Sequence, residues 1–552
     1  MVSAENPERG PSQVREFLFL ACFCGFLFYY GLGYFGLVGA DEPRYAQVAR
    51  EMLARHDWIT PTLGRQPWLE KPVLYYWQAM ICYGIFGVSD WAARIPSALD
   101  ASLLVFAIYF FLRRFRREFA LDGALITASC AAVIGFARAA STDMPLAAMF
   151  GIAMLAWYAW HESAERVYLA SFYFFLALGT LAKGPVAPFL AGVIILLFSL
   201  AKGDARLIRR TLWIPGMLLF CAVALPWYVA VQIKNPEFFR VFILEHNLAR
   251  FGTNLYRHKE PFWYYGPVVL LGLVPWTILM IAAFAETLRV WIKEKRLMLE
   301  SDVQNPDLQN EDTWNVFLFI WLTVPVVFFS LSQSKLPGYI LPAIPAGTLL
   351  VADYVRRRVP GNDQLRSAPL LALHSVLASL PLVPALMIQY VIQQHRMPWN
   401  KAAAISFAIA AVMATGIVLT LRGRLGLRAL RITLIPVALA VAITLRIGAA
   451  SLDNALSARP LAYEISVLEN AQSKPLPLAV FQVARQTEFG LAFYRNAVIS
   501  RYESGQIPTE AHVVVAPAAS QNQIENLLRG RRIIYLGNFP MQGLEYYWVA
   551  GK

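Results

Sequence analysis

Two short segments place acids, a cation and an aromatic ring at spacings that could do chemistry on an anionic substrate. The first is Asp41-Glu42-Pro43-Arg44-Tyr45. Pro43 suits the first turn of a helix, with an acid just before it. On that helix Asp41, Arg44 and Tyr45 stand at i, i+3 and i+4, so they share a face. A plainer role fits the same residues: an acidic N-cap on an amphipathic interfacial helix. The second segment is Glu70-Lys71-Pro72, followed by Tyr75-Tyr76-Trp77 at another helix start. Lys71 could hold an anionic lipid headgroup beside Glu70, over an apolar groove. An interfacial aromatic belt with a solvated ion pair is the alternative.

Three further segments extend the set. Asp143 lies in Ser141-Thr142-Asp143-Met144-Pro145 and also stands at a helix start. Lys335, in Ser334-Lys335-Leu336-Pro337-Gly338-Tyr339, is a lone cation between apolar helices and suits a phosphate. Tyr339 could hydrogen-bond the same group, and a snorkelling lysine is the alternative. The stretch 234–262 holds His246 and His258. One of them with Glu70 could hold a metal ion, although no H-x-x-x-H or H-E-x-x-H pattern is present.

The elements that must position these residues are apolar helices. Of 552 residues, 57% are hydrophobic and 15% charged, and the mean hydropathy is +0.47. A soluble protein carries about 25% charged residues. The balance excludes a disordered chain, a nucleic-acid-binding domain and an ordinary cytosolic enzyme, and it fits an all-α polytopic membrane protein. A spanning helix needs roughly 20 apolar residues. Spans are expected at 17–37, 96–112, 120–138, 144–160, 168–182, 185–201, 212–233, 263–288, 316–333, 337–355, 368–391, 402–421 and 432–452, about thirteen in all. The first is too long for a cleaved signal peptide and is expected to stay. Cys22, Cys24, Cys82, Cys130 and Cys221 lie in apolar runs and are expected to be small buried hydrophobes rather than a disulfide framework.

Orientation follows from the basic runs. Arg113–Arg117, Lys202–Arg210, Arg289–Arg296, Arg356–Arg358 and Arg422–Arg431 are separated by even numbers of spans, so all five share one side. The positive-inside rule makes that side the cytoplasm, and it accounts for the net charge of +13. Asp41, Glu70, Lys71, Asp143, the 234–262 stretch and Lys335 then all face outward. Two acids at one membrane face could form one site, and ionisable groups near bilayer depth default to function. Two unrelated N-caps are the alternative.

Residues 1–452 are therefore expected to form a transmembrane domain with outer loops, and 453–552 an outer α/β domain. In that tail, β-type runs at Leu478–Val483, His512–Ala516, Ile533–Leu536 and Tyr546–Val549 alternate with helical patterns at Leu461–Leu468 and Ile524–Leu528. It holds no Gly-rich phosphate loop or catalytic triad, so a lid, acceptor-docking or stabilising role suits it better than chemistry. No internal repeat of the transporter kind is present.

Four segments together resemble a known family: Asp41 to Tyr45, Glu70-Lys71-Pro72, Ser332 to Pro342 (S-Q-S-K-L-P-G-Y-I-L-P), and His258 to Tyr265 (H-K-E-P-F-W-Y-Y). The chain is similar to the lipid-linked glycosyltransferases of the GT-C fold, in the protein O-mannosyltransferase group, nearest the bacterial branch that transfers aminoarabinose from undecaprenyl phosphate to lipid A. The resemblance implies a sugar donor on undecaprenyl phosphate, a lipid A phosphate as acceptor, and transfer at the periplasmic face of the bacterial inner membrane. No nucleic acid is involved. In this reading Asp41 matches the catalytic acid and Asp143 the second acidic position. Arg44, Lys71, Lys335 and Tyr339 would hold donor or acceptor phosphate, with Tyr45 and Tyr75 beside them in the substrate pocket. No cofactor is certain; Glu70 and His258 would be a metal or orientation pair.

The chemistry agrees with that resemblance. A lipid-phosphate sugar carries its own leaving group, so no nucleotide fold is needed. Transfer passes through an oxocarbenium-like centre, and departing phosphate needs positive charge beside it. Rivals are a mannosyl or other sugar transferase acting on protein or polysaccharide, and a polyprenyl-lipid transporter. A transporter should place polar residues near the midplane and show repeated halves; here they cluster at one face.

Overall fold

The computed structural model describes residues 11–249, 260–300, 313–358, 368–391, 398–423, 430–470 and 476–552. The apolar runs become helices, because a backbone in lipid must satisfy its own hydrogen bonds. Among the described residues six helices are long and apolar enough to cross a membrane: Asp90–Phe115, Ile214–Lys234, Thr313–Leu331, Pro337–Arg358, Pro369–Ile388 and Trp399–Leu421. Three bent pairs raise the number to nine if each is one span.

The bends fall where continuous spans were expected. Arg117–Ala128 and Ala131–Ala137 meet at 62°, and Phe262–Gly272 and Thr277–Lys293 at 118°. The sharper break contains Pro275, which has no N–H to continue the helical ladder. The expected spans 144–160, 168–182 and 185–201 fall on Asp143–Ser163, Arg166–Lys183 and Val186–Lys202. No cysteine forms a disulfide. Cys24, Cys82 and Cys130 are buried as expected, whereas Cys22 and Cys221 are exposed.

Ion pairs gather three of the basic runs, Arg113–Arg117, Arg356–Arg358 and Arg422–Arg431, at one end of the bundle. Arg113 meets Glu16 at 3.4 Å, Arg116 meets Glu162, and Arg356 meets Glu118 at 3.5 Å. At the same end Arg357 meets Glu286 at 3.1 Å and Arg431 meets Asp122 at 2.7 Å. The helices Asp143–Ser163 and Arg166–Lys183 are joined at this end, so Asp143 and Lys183 lie at the other.

At that opposite end the expected outer loop 38–95 is itself folded. It contains the helices Asp41–Ala54 and Leu74–Phe86, with a hairpin of Thr62–Leu63 and Gln66–Pro67 between them. Glu51 ties the hairpin to the first helix by accepting from Thr62 Oγ1 at 2.8 Å and Gly64 N at 2.9 Å.

The C-terminal segment forms a five-stranded sheet. Its order is Ser500–Arg501, Leu478–Val480, His512–Pro517, Leu544–Val549 and Ile533–Phe539. The first three strands are parallel and the last two antiparallel. The helices Arg459–Asn470, Arg485–Arg495 and Gln521–Leu527 accompany it. The second of these and the edge strand Ser500–Arg501 were not evident in the sequence. Arg459 fastens this unit to the first loop through Asp90 at 2.7 Å and the carbonyls of Gly33 and Tyr34, both at 3.1 Å. Tyr494 adds bonds to Asp90 at 2.8 Å and from Leu37 N at 2.6 Å.

Candidate active site

The helix Asp41–Ala54 starts at the acid that the motif singles out. One turn in, Arg44 Nη2 donates to Asp41 Oδ1 at 2.5 Å. The two side chains differ in access: Asp41 is 49% exposed and Arg44 12%. The guanidinium lies among three rings, 5.0 Å from the Tyr45 centroid, 5.4 Å from Trp68 and 5.8 Å from Phe489. Burial works against its charge, but Tyr45, Asp41 and Glu70 outweigh burial and hold the Arg44 pKa above its ordinary value.

Three buried donors around this arginine have no acceptor among the described residues: Arg44 Nε, Trp68 Nε1 and the Tyr76 hydroxyl. Leaving one such group unpaired costs about 1–3 kcal/mol. Gathered around one cation, these donors have the chemistry that an acceptor-rich anion would satisfy.

Beside Asp41 stands Glu42, which the sequence reading passed over. It is buried, and its carboxylate accepts from Arg94 Nε at 3.1 Å and Nη2 at 2.7 Å, from Val38 N at 2.7 Å, and from Ala140 N at 2.7 Å. Arg94 completes its donors on the carbonyls of Leu32, Phe35 and Gly36. The Ala140 bond draws the turn before Asp143 against the start of the Asp41 helix. Burial pushes the Tyr45 hydroxyl pKa well up, and the charges of Asp41 and Asp143 both push the same way while Arg44 opposes them. Both acids therefore act on one phenol.

Asp143 has its own cation. Lys183, at the end of Arg166–Lys183, donates to Asp143 Oδ1 and lies 4.5 Å from the Tyr339 ring centroid. A Cβ on Gly338 would fall 2.6 Å from Asp143 Cγ, so only glycine lets this backbone approach the acid. Lys183 was missed; its only signal is a lone lysine before Gly184-Pro185 at the outer end of an apolar run.

The other expected residues are distributed as follows. Lys335 is buried, with Nζ donating to Ser332 O at 2.6 Å. Tyr339 is half-buried beside Lys183 and packs on Phe329. Lys71 is half-buried just before the helix Leu74–Phe86. Tyr75 does not point into the site: it is fully buried and its hydroxyl donates to Ala93 O at 2.8 Å, tying that helix to Asp90–Phe115. Its contribution is to support Tyr45, whose ring centroid is 6.2 Å away.

Glu70 faces His246, with Oε1 3.8 Å from Nε2; His258 lies outside the described residues. These are two donors. Among the described residues no three His, Cys, Asp or Glu side chains gather closely enough to hold a metal ion.

Residues 70–229 match the model of the dolichyl-phosphate-mannose-protein mannosyltransferase family. Among curated proteins, the undecaprenyl phosphate-alpha-4-amino-4-deoxy-L-arabinose arabinosyl transferase of Pseudomonas savastanoi pv. phaseolicola is 30% identical over 70% of this chain and 69% of its own length. The protein of that name from Erwinia tasmaniensis is 29% identical over 62% of this chain and 60% of its own. The match thus spans about 60% of the length of such relatives. Among solved structures, ArnT from Cupriavidus metallidurans in the apo state superimposes with a TM-score of 0.76 at 20% identity, covering 97% of this chain and 98% of that one. The same protein bound to undecaprenyl phosphate gives 0.73 at 22% identity, covering 96% and 97%. The fold is that of ArnT, and the chain belongs to the undecaprenyl phosphate-alpha-4-amino-4-deoxy-L-arabinose arabinosyl transferase family.

Proposed function

We propose that this protein transfers 4-amino-4-deoxy-L-arabinose from undecaprenyl phosphate to a phosphate of lipid A, conferring resistance to polymyxin and cationic peptides. The observation that carries the reading is the set of unpaired buried donors around Arg44, beside two carboxylates that each hold a cation. The phosphodiester of a lipid-linked sugar offers only acceptor oxygens, which suits that set of donors. The relatives' names and the undecaprenyl phosphate bound to the Cupriavidus protein support the same donor.

In the reaction a lipid A phosphate oxygen attacks the anomeric carbon. The bond from that carbon to the undecaprenyl phosphate oxygen breaks, and undecaprenyl phosphate leaves with the electron pair. One displacement inverts the anomeric centre. Arg44, with Lys71 and Lys335, balances charge on the leaving phosphate. The acceptor phosphate is already anionic and needs little help from a base. Asp41, the more exposed acid, orients the acceptor or stabilises the sugar cation. Asp143, held by Lys183, is the second acid of the site.

The site belongs to the periplasmic face in this reading, since the basic end suits the cytoplasm. Thirteen spans in residues 1–452 and a periplasmic α/β domain in 453–552 complete it. Incubating the purified protein with lipid A and undecaprenyl-phosphate aminoarabinose, read by mass spectrometry, tests the proposal. A pentosamine increment on lipid A is expected. Transfer of a hexose to protein instead, as the name of the matching family model suggests, would overturn it.

A further inference from the structure

The C-terminal sheet unit contributes a ring to the site. Its helix Arg485–Arg495 lies against Asp41–Ala54, and three contacts fix its place. Arg50 Nη1 donates to Phe493 O at 2.8 Å. Tyr494 is bonded to Leu37 and Asp90. Gly490 lets the helix pack on Ala458, where an added Cβ would come within 2.5 Å of the Ala458 Cβ. Phe489 and Phe493 are four residues apart, so they share the face turned to the Asp41 helix. Phe493 meets Arg50, at 5.8 Å from ring centroid to guanidinium carbon, and Phe489 meets Arg44 at the same distance.

A guanidinium that must present Nε to a phosphate has to be held in its plane. Asp41 fixes one end through Nη2. Tyr45 and Trp68 come from the first loop, and Phe489 is the one ring of the three contributed by a distant part of the chain. Aromatic faces attract the cation and leave its N–H donors unspent.

We propose that Phe489 is a positioning residue for Arg44: docking of the C-terminal unit completes the aromatic enclosure that aims Arg44 Nε at the donor phosphate. The proposal rests on Arg44 as the phosphate-binding cation. It makes the C-terminal unit part of the donor site rather than only a stabilising cap.

The test uses full-length protein in detergent with undecaprenyl phosphate as the probe. Binding is read by tryptophan fluorescence, and transfer to lipid A is measured separately. Phe489→Leu keeps an apolar side chain and removes the π-face. It should weaken binding about five- to tenfold and raise the donor KM equally, with kcat nearly unchanged. Phe489→Tyr should restore both to within about twofold. In an Arg44→Ala background, Phe489→Leu should weaken binding no further. A purely structural role predicts the opposite: equal loss in both backgrounds, or no rescue by tyrosine. Either result, or wild-type binding by Phe489→Leu, overturns the proposal. Absence of sugar transfer by the wild type would instead count against the reaction, and the binding arm would still decide the role of Phe489.

Discussion

Glu42 Oε1 accepts the backbone N–H of Ala140 at 2.7 Å, across 98 residues of sequence. That bond joins the helix that starts at Asp41 to the turn that leads into Asp143. The arrangement depends on Arg94, which is 1% exposed and neutralises Glu42 with two of its five hydrogen bonds. Breaking such a buried pair from one side costs about 3–5 kcal/mol. Arg94→Met should therefore lower the melting temperature in detergent markedly and abolish transfer, whereas a surface change such as Arg114→Met should do neither. Unaltered melting of Arg94→Met would remove Glu42 from its linking role.

Asp41→Asn keeps the size of the side chain and one acceptor oxygen but removes its charge. Turnover should fall by about 10²-fold or more, while undecaprenyl phosphate binding and expression persist. Mass spectrometry of lipid A after timed incubation measures the first, and lipid binding the second. Unchanged transfer would exclude Asp41 from the chemistry.

Gly338→Ala places a methyl group against the Asp143 carboxylate. The acid or the Ser332–Pro342 segment must shift. Misplacement on the ångström scale can cost about 10²-fold in rate, so kcat should fall steeply with donor binding less affected. Lys183→Met should act on the same carboxylate by leaving it without its cation, and Lys183→Arg should preserve part of the activity. Normal kcat in Gly338→Ala would show that the position of Asp143 does not matter.

The sequence carried the chemistry of this end of the molecule better than its architecture. The i, i+3 spacing of Asp41 and Arg44 gives their pairing directly, and counting spans brings Asp143 to the same face. Glu42 was invisible as a hub because its partner Arg94 is 52 residues away, at the far end of the expected outer loop 38–95, where no spacing pairs the two. Lys183 was missed because a lysine at a helix end is ordinary by spacing alone. The helix Arg485–Arg495 carries Gly490 at its centre, which weakens the helical pattern; the glycine is there for its contact with Ala458. Tyr75 shares motif and spacing with site residues, but only the fold shows that its hydroxyl is committed to Ala93.

The raised Arg44 pKa has a consequence for pH dependence. Asp41, Tyr45 and Glu70 favour its charged form despite burial, so it stays protonated well beyond neutrality. A phosphate monoester loses its second proton with a pKa of about 6, so its dianion grows from half to nearly all of the population as pH rises above that value. Binding of undecaprenyl phosphate should therefore hold or strengthen from about pH 6 to pH 9, as an affinity titration across that range would show. Loss of affinity within it would mean that a group of lower pKa carries the phosphate.

The most direct measurement is a structure of this protein with undecaprenyl phosphate. The phosphate should lie at the end opposite the basic runs, with an oxygen about 2.9 Å from Arg44 Nε and Asp41 on the side open to solvent. A phosphate bound among Arg113, Arg116 and Arg356, or one out of reach of Arg44, would contradict the account.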